Sequence, residues 1–588
     1  GDYSYTTLDP VEELTIWTIQ EYGHADEIWG TWVGVLTSAD CNGNQVDDYQ
    51  DIAEGTSDDC NANNVPDECE PNEDCNGNSV QDICDMAGVT SSDCNANKVP
   101  DECDISAGTS ADDNGNNVAD ECEAARLYVD GSATGLEQGT TWANAYTDLQ
   151  DALDIAALPG SAATEIWVAA GTYLPTRLIS SDPRSAAFLL VDDVTLLGGF
   201  AGDETFVEQR DPGVRETILS GDLGQNDGSG VMDDNAYHVV IAQGVGSTAV
   251  LDGFVITAGR ADAAGDPNDR GGGFLCDNAS PTILGCVFRQ NHAADRGGGF
   301  MVKEVSGPVL NACVFQSNTA DGRGGGLFNS GSGTATIVNG LFTGNSAVYG
   351  GGMANAGVPD VICCSFSGNT ASTWGGGIYS YTSDAVLTVT NSILWGNSDG
   401  GGTDESAQVH VASGNTAITY DCIQGWSSPG VDGNVDTDPQ FVDANGDDDV
   451  FGTADDNLRL TAGSGCIDAG DNAAVPSGVV SDLDGRLRLR DGDGDQIAIV
   501  DMGAYEYMSP ASGCICGDIN GSGGLVDLND FSLFALCFGQ SGAGGDCSEQ
   551  AFACSDLDAS GSVNLSDFST FAVLFGVTSS SEVPACLD

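Results

Sequence analysis

The sequence predicts a mainly β protein, with a parallel β-helix preceded by a rod of short acidic loops and followed by a small α domain. Three observations predict it. Gly-Gly-Gly begins at 271, 297, 324, 350, 375 and 400, a period of 25 to 27 residues that suits one coil of a solenoid. Five copies of one Asp/Asn pattern begin at Asp40, Asp59, Asp74, Asp93 and Asp112. The segment DLNDFSLFALCFG at 527–539 recurs at 564–576 as NLSDFSTFAVLFG. These periods divide the chain at 1–37, 38–124, 125–508 and 509–588.

Charge removes several function classes. Asp+Glu is 90 against Lys+Arg 16, a formal net charge of −74, and Lys98 and Lys303 are the only lysines. Nucleic acid needs basic patches, so it is excluded as a partner, as is adhesion to anionic lipid. Hydrophobic residues still make up 40%, too many for a disordered acidic tail. No apolar run approaches the ~20 residues of a transmembrane segment. The chain begins at Gly1 without a basic-plus-apolar leader, as expected of a secreted chain after signal-peptide removal or of an expression boundary.

The first segment, 1–37, predicts a hairpin. Two β-prone runs, Leu14–Tyr22 and Ile28–Leu36, flank a GHAD turn. The hairpin carries Trp17, Trp29 and Trp32, whose rings need a surface to cover them. Either it caps its own β-helix or it pairs with another subunit, and head-to-tail repetition of the second contact builds a filament.

The acidic rod follows. Its copies read DCNGNQVDDYQD, DCNANNVPDECE, DCNGNSVQDICD, DCNANKVPDECD and DDNGNNVADECE. Side-chain oxygens recur at the first, third, fifth, ninth and twelfth positions. That spacing suits Ca²⁺, which takes six to eight hard oxygens from one loop, with a backbone carbonyl at the seventh. The expected ligands are Asp40, Asn42, Asn44, the Val46 carbonyl, Asp48 and Asp51 in the first copy. In the second they are Asp59, Asn61, Asn63, Val65, Asp67 and Glu70, and in the third Asp74, Asn76, Asn78, Val80, Asp82 and Asp85. The fourth offers Asp93, Asn95, Asn97, Val99, Asp101 and Asp104, and the fifth Asp112, Asn114, Asn116, Val118, Asp120 and Glu123. The alternative is a ladder of Asx turns without metal. The sixth position lacks the glycine of an EF-hand, and the small residue sits at the fourth. The array resembles the calcium repeats of thrombospondin type 3 modules.

Cysteines support the array. The middle three copies carry Cys at the second and eleventh positions, the first only Cys41 and the last only Cys122. Pairing within a copy orphans the end cysteines. Pairing each second position with the next copy's eleventh uses all eight, as Cys41–Cys69, Cys60–Cys84, Cys75–Cys103 and Cys94–Cys122. Such a ladder implies an oxidising compartment.

In the central segment each of the last five glycine triplets follows an F/L-x-x-N element: Phe288/Asn291, Phe315/Asn318, Phe342/Asn345, Phe366/Asn369 and Leu394/Asn397. A unit of this length cannot bury its apolar face alone, whereas stacked coils can. Asparagine at a fixed corner predicts an internal amide ladder, and the glycines permit tight bends. The opening, ARLYVDGSATGLEQGTTWANAYTDLQDALDIA, and the close, DLDGRLRLRDGDGDQIAIVDMGAYEY, resemble those of secreted bacterial right-handed parallel β-helix proteins. The GGG and FxxN repeats resemble those of polymorphic outer-membrane proteins.

Many β-helices are polysaccharide lyases or glycosidases, so catalysis was weighed. The Gly-His-Gly and Arg-x-Lys elements of polygalacturonases are absent, and His24, His238, His292 and His410 are scattered. Arg270, Arg296 and Arg323 recur once per coil beside Asp269, Asp295 and Asp321, which reads as a repeated turn ion pair or as a substrate site. Two acidic loops near the close are Ca²⁺ candidates or solvated turns: Asp443, Asn445, Asp447 and Asp449, and Asp491, Asp493 and Asp495 with Asp501.

In the last segment a calcium-type loop precedes each apolar helix. The first is Asp518, Asn520, Ser522, Asp527 and Asp530, with one inserted residue around Gly523–Gly524, and the second Asp556, Asp558, Ser560, Asn564 and Asp567. Loop followed by helix, twice, resembles a type I dockerin, and the resemblance implies calcium and a cohesin-like partner. The insertion and six extra cysteines depart from that family, and a stabilising terminal cap is the other reading.

Together these features predict a secreted calcium-binding structural or adhesive protein of a bacterial surface or extracellular matrix, with like subunits, a cohesin-like or surface partner, or a polysaccharide as partners. The alternative is a carbohydrate-active β-helix enzyme, lyase-like, tethered by a dockerin. A third reading is a ligand-binding module whose charge confers salt tolerance.

Overall fold

The computed structural model describes residues 4–8, 15–23, 29–37, 40–44, 46, 48–60, 65–69, 74–75, 80–87, 91, 98–110, 125–492, 497–507 and seven positions between 531 and 568. The chain forms two compact units, residues 1–124 with 158–162, and residues 125–157 with 163–588.

In the first unit the expected hairpin is present, Thr15–Gly23 against Trp29–Thr37, in register from Thr15↔Thr37 to Gly23↔Trp29. A third strand, Ser4–Leu8, pairs along the other edge of Thr15–Gly23. Five residues, SYTTL, are too short a run to announce it. The third strand matters physically, because a lone hairpin is marginal in water. Beyond it, short helices begin at the ninth position of successive acidic copies: Asp48–Glu54, the 3₁₀ turn Asp67–Cys69, Asp82–Ala87 and Asp101–Ala107. An acid at a helix start is favoured by the exposed N–H groups there. Three of the four expected disulfides join neighbouring copies: Cys41–Cys69, Cys60–Cys84 and Cys75–Cys103, with Cα separations of 5.8, 5.3 and 5.7 Å. The fourth lies outside the described residues.

The second unit is a parallel solenoid of about nine coils. Each coil adds one strand to each of three long sheets. One has eight strands, from Phe188–Leu189 to Val409–Val411. A second has ten, from Arg126–Val129 to Asn415–Thr419, and a third nine, from Gly171–Tyr173 to Cys422–Ile423. A fourth, shorter sheet runs from Arg260–Ala261 to Thr370–Trp374. Equal coil lengths put equivalent residues in register, so like stacks on like. Phe288, Phe315, Phe342 and Phe366 form one column with ring centroids 4.9, 4.5 and 4.3 Å apart, and Leu394 continues it. The expected amide ladder runs beside it. Asn291, Asn318, Asn345 and Asn369 each donate Nδ2–H to the Oδ1 of the next coil's asparagine at 2.8–3.0 Å. Asn397 donates to Gln408, which ends the ladder.

The glycine triplets lie where coils approach too closely for a side chain. A Cβ on Gly298 would sit 2.2 Å from the Thr319 carbonyl oxygen. The first glycine of each of five triplets has φ between 65° and 68°, a left-handed turn. The sixth triplet differs. Gly400–Gly402 makes a separate turn before the short helix Glu405–Gln408, and the next coil starts late, at Val409.

The two ends are closed differently. The helix Leu149–Ala156, with Asp148 as N-cap, buries Leu149, Ala152, Leu153 and Ala156 in the core beside Leu127 and Val129. At the other end the chain after the last coil folds back along the nine-stranded sheet. Leu458, Ala504 and Tyr505 pack on Leu341, and Ala504 N–H donates to Ser365 Oγ at 3.0 Å. This strap contains a buried ion pair, Arg488 to Glu506 at 3.0 Å, each side chain 1% exposed. Cys363 and Cys364 take opposite sides of the corner between the strands Val358–Ile362 and Ser365–Ser367, where Cys363 has φ 52°. Cys364 lies in the core column and Cys363 meets Arg488 of the strap. Burial pushes both thiols up.

Removing one partner of a buried pair leaves an uncompensated charge. Glu506→Gln is therefore expected to cost about 3–5 kcal/mol by denaturant unfolding, and Arg488→Met with Glu506→Met together distinctly less. Equal losses for the single and double changes would refute the ion pair as the strap's fastening.

Candidate functional site

In the first acidic copy the side chains at the third, fifth and twelfth positions meet, and the first-position side chain accepts from the backbone of the same loop. Asp40 Oδ1 accepts the backbone N–H of Gly43 at 2.8 Å and of Asn44 at 3.1 Å. Asn44 Nδ2–H donates to Asp51 Oδ2 at 2.8 Å, and Asn42 Nδ2–H to the same oxygen at 3.3 Å. Thr56 Oγ1–H donates to Asp51 Oδ1 at 2.8 Å. That hydroxyl, followed by the two amides, holds the Asp51 carboxyl below its usual range. Gly43, at the fourth position, has φ 73°, which explains the small residue there. The ninth-position acids close each loop: Asp48, Asp67 and Asp82 each accept the backbone N–H of the second-position cysteine at 2.9 Å. Those acids also lie near disulfide sulfurs, which have no thiolate to offer a metal.

Burial is the less expected property. Asp48, Asp51, Asp82, Asp85, Asp101 and Asp104 are all buried, in a segment with almost no apolar core. Among the other described loop residues, Asp59, Asp74, Val65, Val80 and Val99 occupy their expected copies. Asn61, Asn63, Glu70, Asn76, Asn78, Asp93, Asn95, Asn97 and the whole fifth copy lie outside the described residues, as do Asp493, Asp495 and the ten expected ligands at 518–567.

Sequence reasoning missed a link between copies. Glu68, at the tenth position of the second copy, accepts Ser57 Oγ–H at 2.5 Å and Asn42 Nδ2–H at 3.0 Å, both from the first. These bonds, the serine's first, hold its carboxyl below the usual range. Glu102 of the fourth copy accepts Ser91 Oγ–H of the third at 2.5 Å. The pattern was in the sequence: Thr-Ser follows the first, third and fourth copies, and the copy after each has Glu at its tenth position, Glu68, Glu102 and Glu121. The second copy is short, lacks the serine, and is followed by Ile83.

On the β-helix the candidates separate. Asp443 begins the loop to Asn457, and Asp455, which sequence reasoning passed over, accepts Thr453 Oγ1–H at 2.6 Å and Asp448 N–H at 3.2 Å inside it. Asn445, Asp447 and Asp449 lie on the same loop. Asp491 is half-buried, whereas Asp501 is 1% exposed and accepts the backbone N–H groups of Asp468 and Tyr507 at 2.7 and 2.6 Å. Burial pushes its carboxyl up to about 7. His238 is buried on the Gly271 carbonyl, far in sequence from His292, which sits 3.8 Å from Asp321. The arginine row bridges as expected from Arg270 to Arg296 to Arg323. Arg270 pairs with Asp266, Asp269 and Asp295, and Arg296 with Asp295. The third member breaks the pattern: Asp321 lies near His292, and the Arg323 guanidinium lies over Tyr349 and Tyr381 at 5.2 and 4.8 Å.

In the last segment Phe531 and Phe568, equivalent positions of the duplicated helix, have ring centroids 6.5 Å apart, and Phe534 joins them at 6.1 Å. Among the described residues no helix is long and apolar enough to cross a membrane.

Residues 364–381 match the repeat of the Chlamydia polymorphic membrane proteins. The matched stretch holds Phe366, Asn369 and the triplet at 375, the column, corner and turn of one coil. No curated protein and no solved structure matches the chain. The match and the solenoid agree on a polymorphic-membrane-protein-like β-helix of the kind found at bacterial surfaces.

The inter-copy bond has a direct check. Glu68→Gln is expected to lower the melting temperature of the acidic segment more than Glu54→Gln, whose carboxylate accepts from Gln50 of its own copy. Equal effects would contradict the link.

Proposed function

We propose that this chain is a secreted calcium-binding structural and adhesive protein of a bacterial surface or extracellular matrix. The observation that carries the calcium reading is the meeting of Asn42, Asn44 and Asp51, with Asp40 on the backbone of the same loop, in a copy whose oxygen pattern recurs five times. A hard cation is the partner such oxygens suit, once the two amides turn their oxygens inward. Metal also accounts for buried aspartates at the ninth and twelfth positions, which otherwise repel one another. The 38–124 segment is then a calcium-stiffened rod, the β-helix an exposed platform, and 509–588 a calcium-dependent docking or capping module resembling dockerins. The repeat match supports the surface location.

Assembly is part of the same proposal. Among the described residues the last strand of the ten-stranded sheet, Asn415–Thr419, has a partner strand on one side only. An edge of this kind accepts an added strand, and the sheet at 4–37 offers two edges. Deleting 1–37 is expected to abolish high-mass species in light scattering while leaving a folded monomer. Loss of the β-helix melting transition instead would make that sheet an intramolecular cap.

Chelation tests the calcium reading. Glutamyl endopeptidase is expected to cut 40–123 much faster in EDTA than in Ca²⁺, at Glu68 and Glu102 among others, while coils 270–423 stay whole. One digestion pattern in both buffers would contradict it.

A further inference from the structure

The row that begins with salted arginines ends in aromatic rings. Tyr349 follows Arg323 by a backbone bridge, and Trp374 pairs with Tyr349 in the next coil. Beside them, on the outer face of the eight-stranded sheet, Phe328, Ala354, Tyr379 and His410 stand in register on successive coils. Further back that outer row is Leu275, Met301 and Phe328, all buried. Burial continues through Ala354 and Tyr379, 0% and 6% exposed, and lessens at the half-buried His410, Tyr349 and Tyr381. Trp374 is 45% exposed, and its ring is parallel to His410 at 5.1 Å. Tyr379 stacks on Tyr381 at 5.5 Å and on His410 at 5.7 Å. The result is a strip of contacting rings, Tyr349, Trp374, Tyr379, Tyr381 and His410, that comes to the surface at Trp374.

Arg323 belongs to this strip. Among the described residues no carboxylate lies within 4 Å of its guanidinium, and its buried Nε has no hydrogen-bond partner. In a chain of net charge −74, an arginine without a carboxylate is a departure from the rule its two neighbours obey. Tyr349 and Tyr381 hold the guanidinium of this half-buried side chain by cation–π contact. His410 also lines a cavity of about 570 Å³ with Asp404, Glu405 and Trp426. Donor and acceptor groups therefore flank the rings on both sides.

We propose that this strip binds a neutral glycan chain. An exposed indole takes the flat C–H face of a sugar ring. The Arg323 N–H groups donate to its hydroxyl oxygens, and Asp404 and Glu405 accept from its hydroxyls. Charge selects among the alternatives. A polyanionic glycan meets the repulsion of the whole chain. A cationic ligand meets Arg323. An apolar peptide desolvates Asp404 and Glu405 without replacing their water, a loss that disfavours it. An uncharged polyhydroxylated polymer gives those carboxylates hydroxyl donors and the rings a flat C–H face. The inference gives the adhesive reading a ligand class and rests on that reading for its setting. The acidic loops take no part in it, so its test and the chelation test fail separately.

The test is affinity electrophoresis of the full chain in Ca²⁺ through gels holding laminarin, xyloglucan or galactomannan, and through gels holding alginate or polygalacturonate. At least one neutral polymer is expected to retard the protein. Trp374→Ala and Arg323→Gln are each expected to weaken that retardation about tenfold or more. Both side chains lie on the outside of the coil, and an unchanged thermal melt certifies each variant as folded. For a variant that melts early, Trp374→Phe and Arg323→Lys serve as milder changes, expected to keep part of the binding. No retardation by any neutral polymer, retardation unaffected by these substitutions, or retardation by the acidic polymers alone would overturn the proposal.

Discussion

A carboxamide at one corner of five successive coils, Asn291 to Asn397, sets the register on which this part of the solenoid depends. Asn318, for example, gives one N–H to the Phe288 carbonyl of the preceding coil and one to Asn345 Oδ1 of the next. Its own oxygen accepts the backbone and side-chain N–H of Asn291. Every polar atom of a fully buried side chain is thereby paired, and a slip of one residue would unpair all of them at once. With the register fixed, the phenylalanine columns stack, the glycine turns nest, and outward residues form straight rows. The arginine and aromatic rows exist only because of that alignment.

The acidic segment is held together by opposite means. It has disulfides and hydrogen-bonded aspartates where the solenoid has rings and amides. Its copies are joined covalently through cysteines and non-covalently through Ser57–Glu68 and Ser91–Glu102. Its carboxylates are packed close together, whereas the coils carry their stability in apolar contact. On the proposed calcium reading the two parts answer to different conditions, and removing a divalent cation would act on the first and spare the second.

The repeats made much of this legible. A period of 25 to 27 residues with Asn at a constant offset specified both the coil and its amide ladder, because any solenoid must superpose equivalent positions. The cysteine ladder was legible for a similar reason: the end copies each lack one cysteine, which leaves one neighbour pairing that uses them all. Features without a period were not legible. The strap that runs back over the nine-stranded sheet carries no repeat, so its burial of Arg488 and Glu506 had no sequence signal. Asp501 looked like a loop ligand because an acidic run precedes it, yet it answers two backbone amides inside the strap. Arg323 was read with its neighbours, yet Gly322 separates it from Asp321 where Arg270 and Arg296 directly follow their aspartates, and Asp321 lies near His292 instead. Glu68 and Glu102 were legible in principle, since each follows a copy that ends in Thr-Ser, but the signal lies between copies and not within one.

Amide hydrogen exchange read by mass spectrometry, with and without Ca²⁺, tests most directly the claim that stability is divided in this way. The account predicts that chelation strips protection from peptides of 40–123 and leaves the corner-asparagine coils between 288 and 397 as slow as before. Loss of protection in both segments together, or in neither, would contradict it.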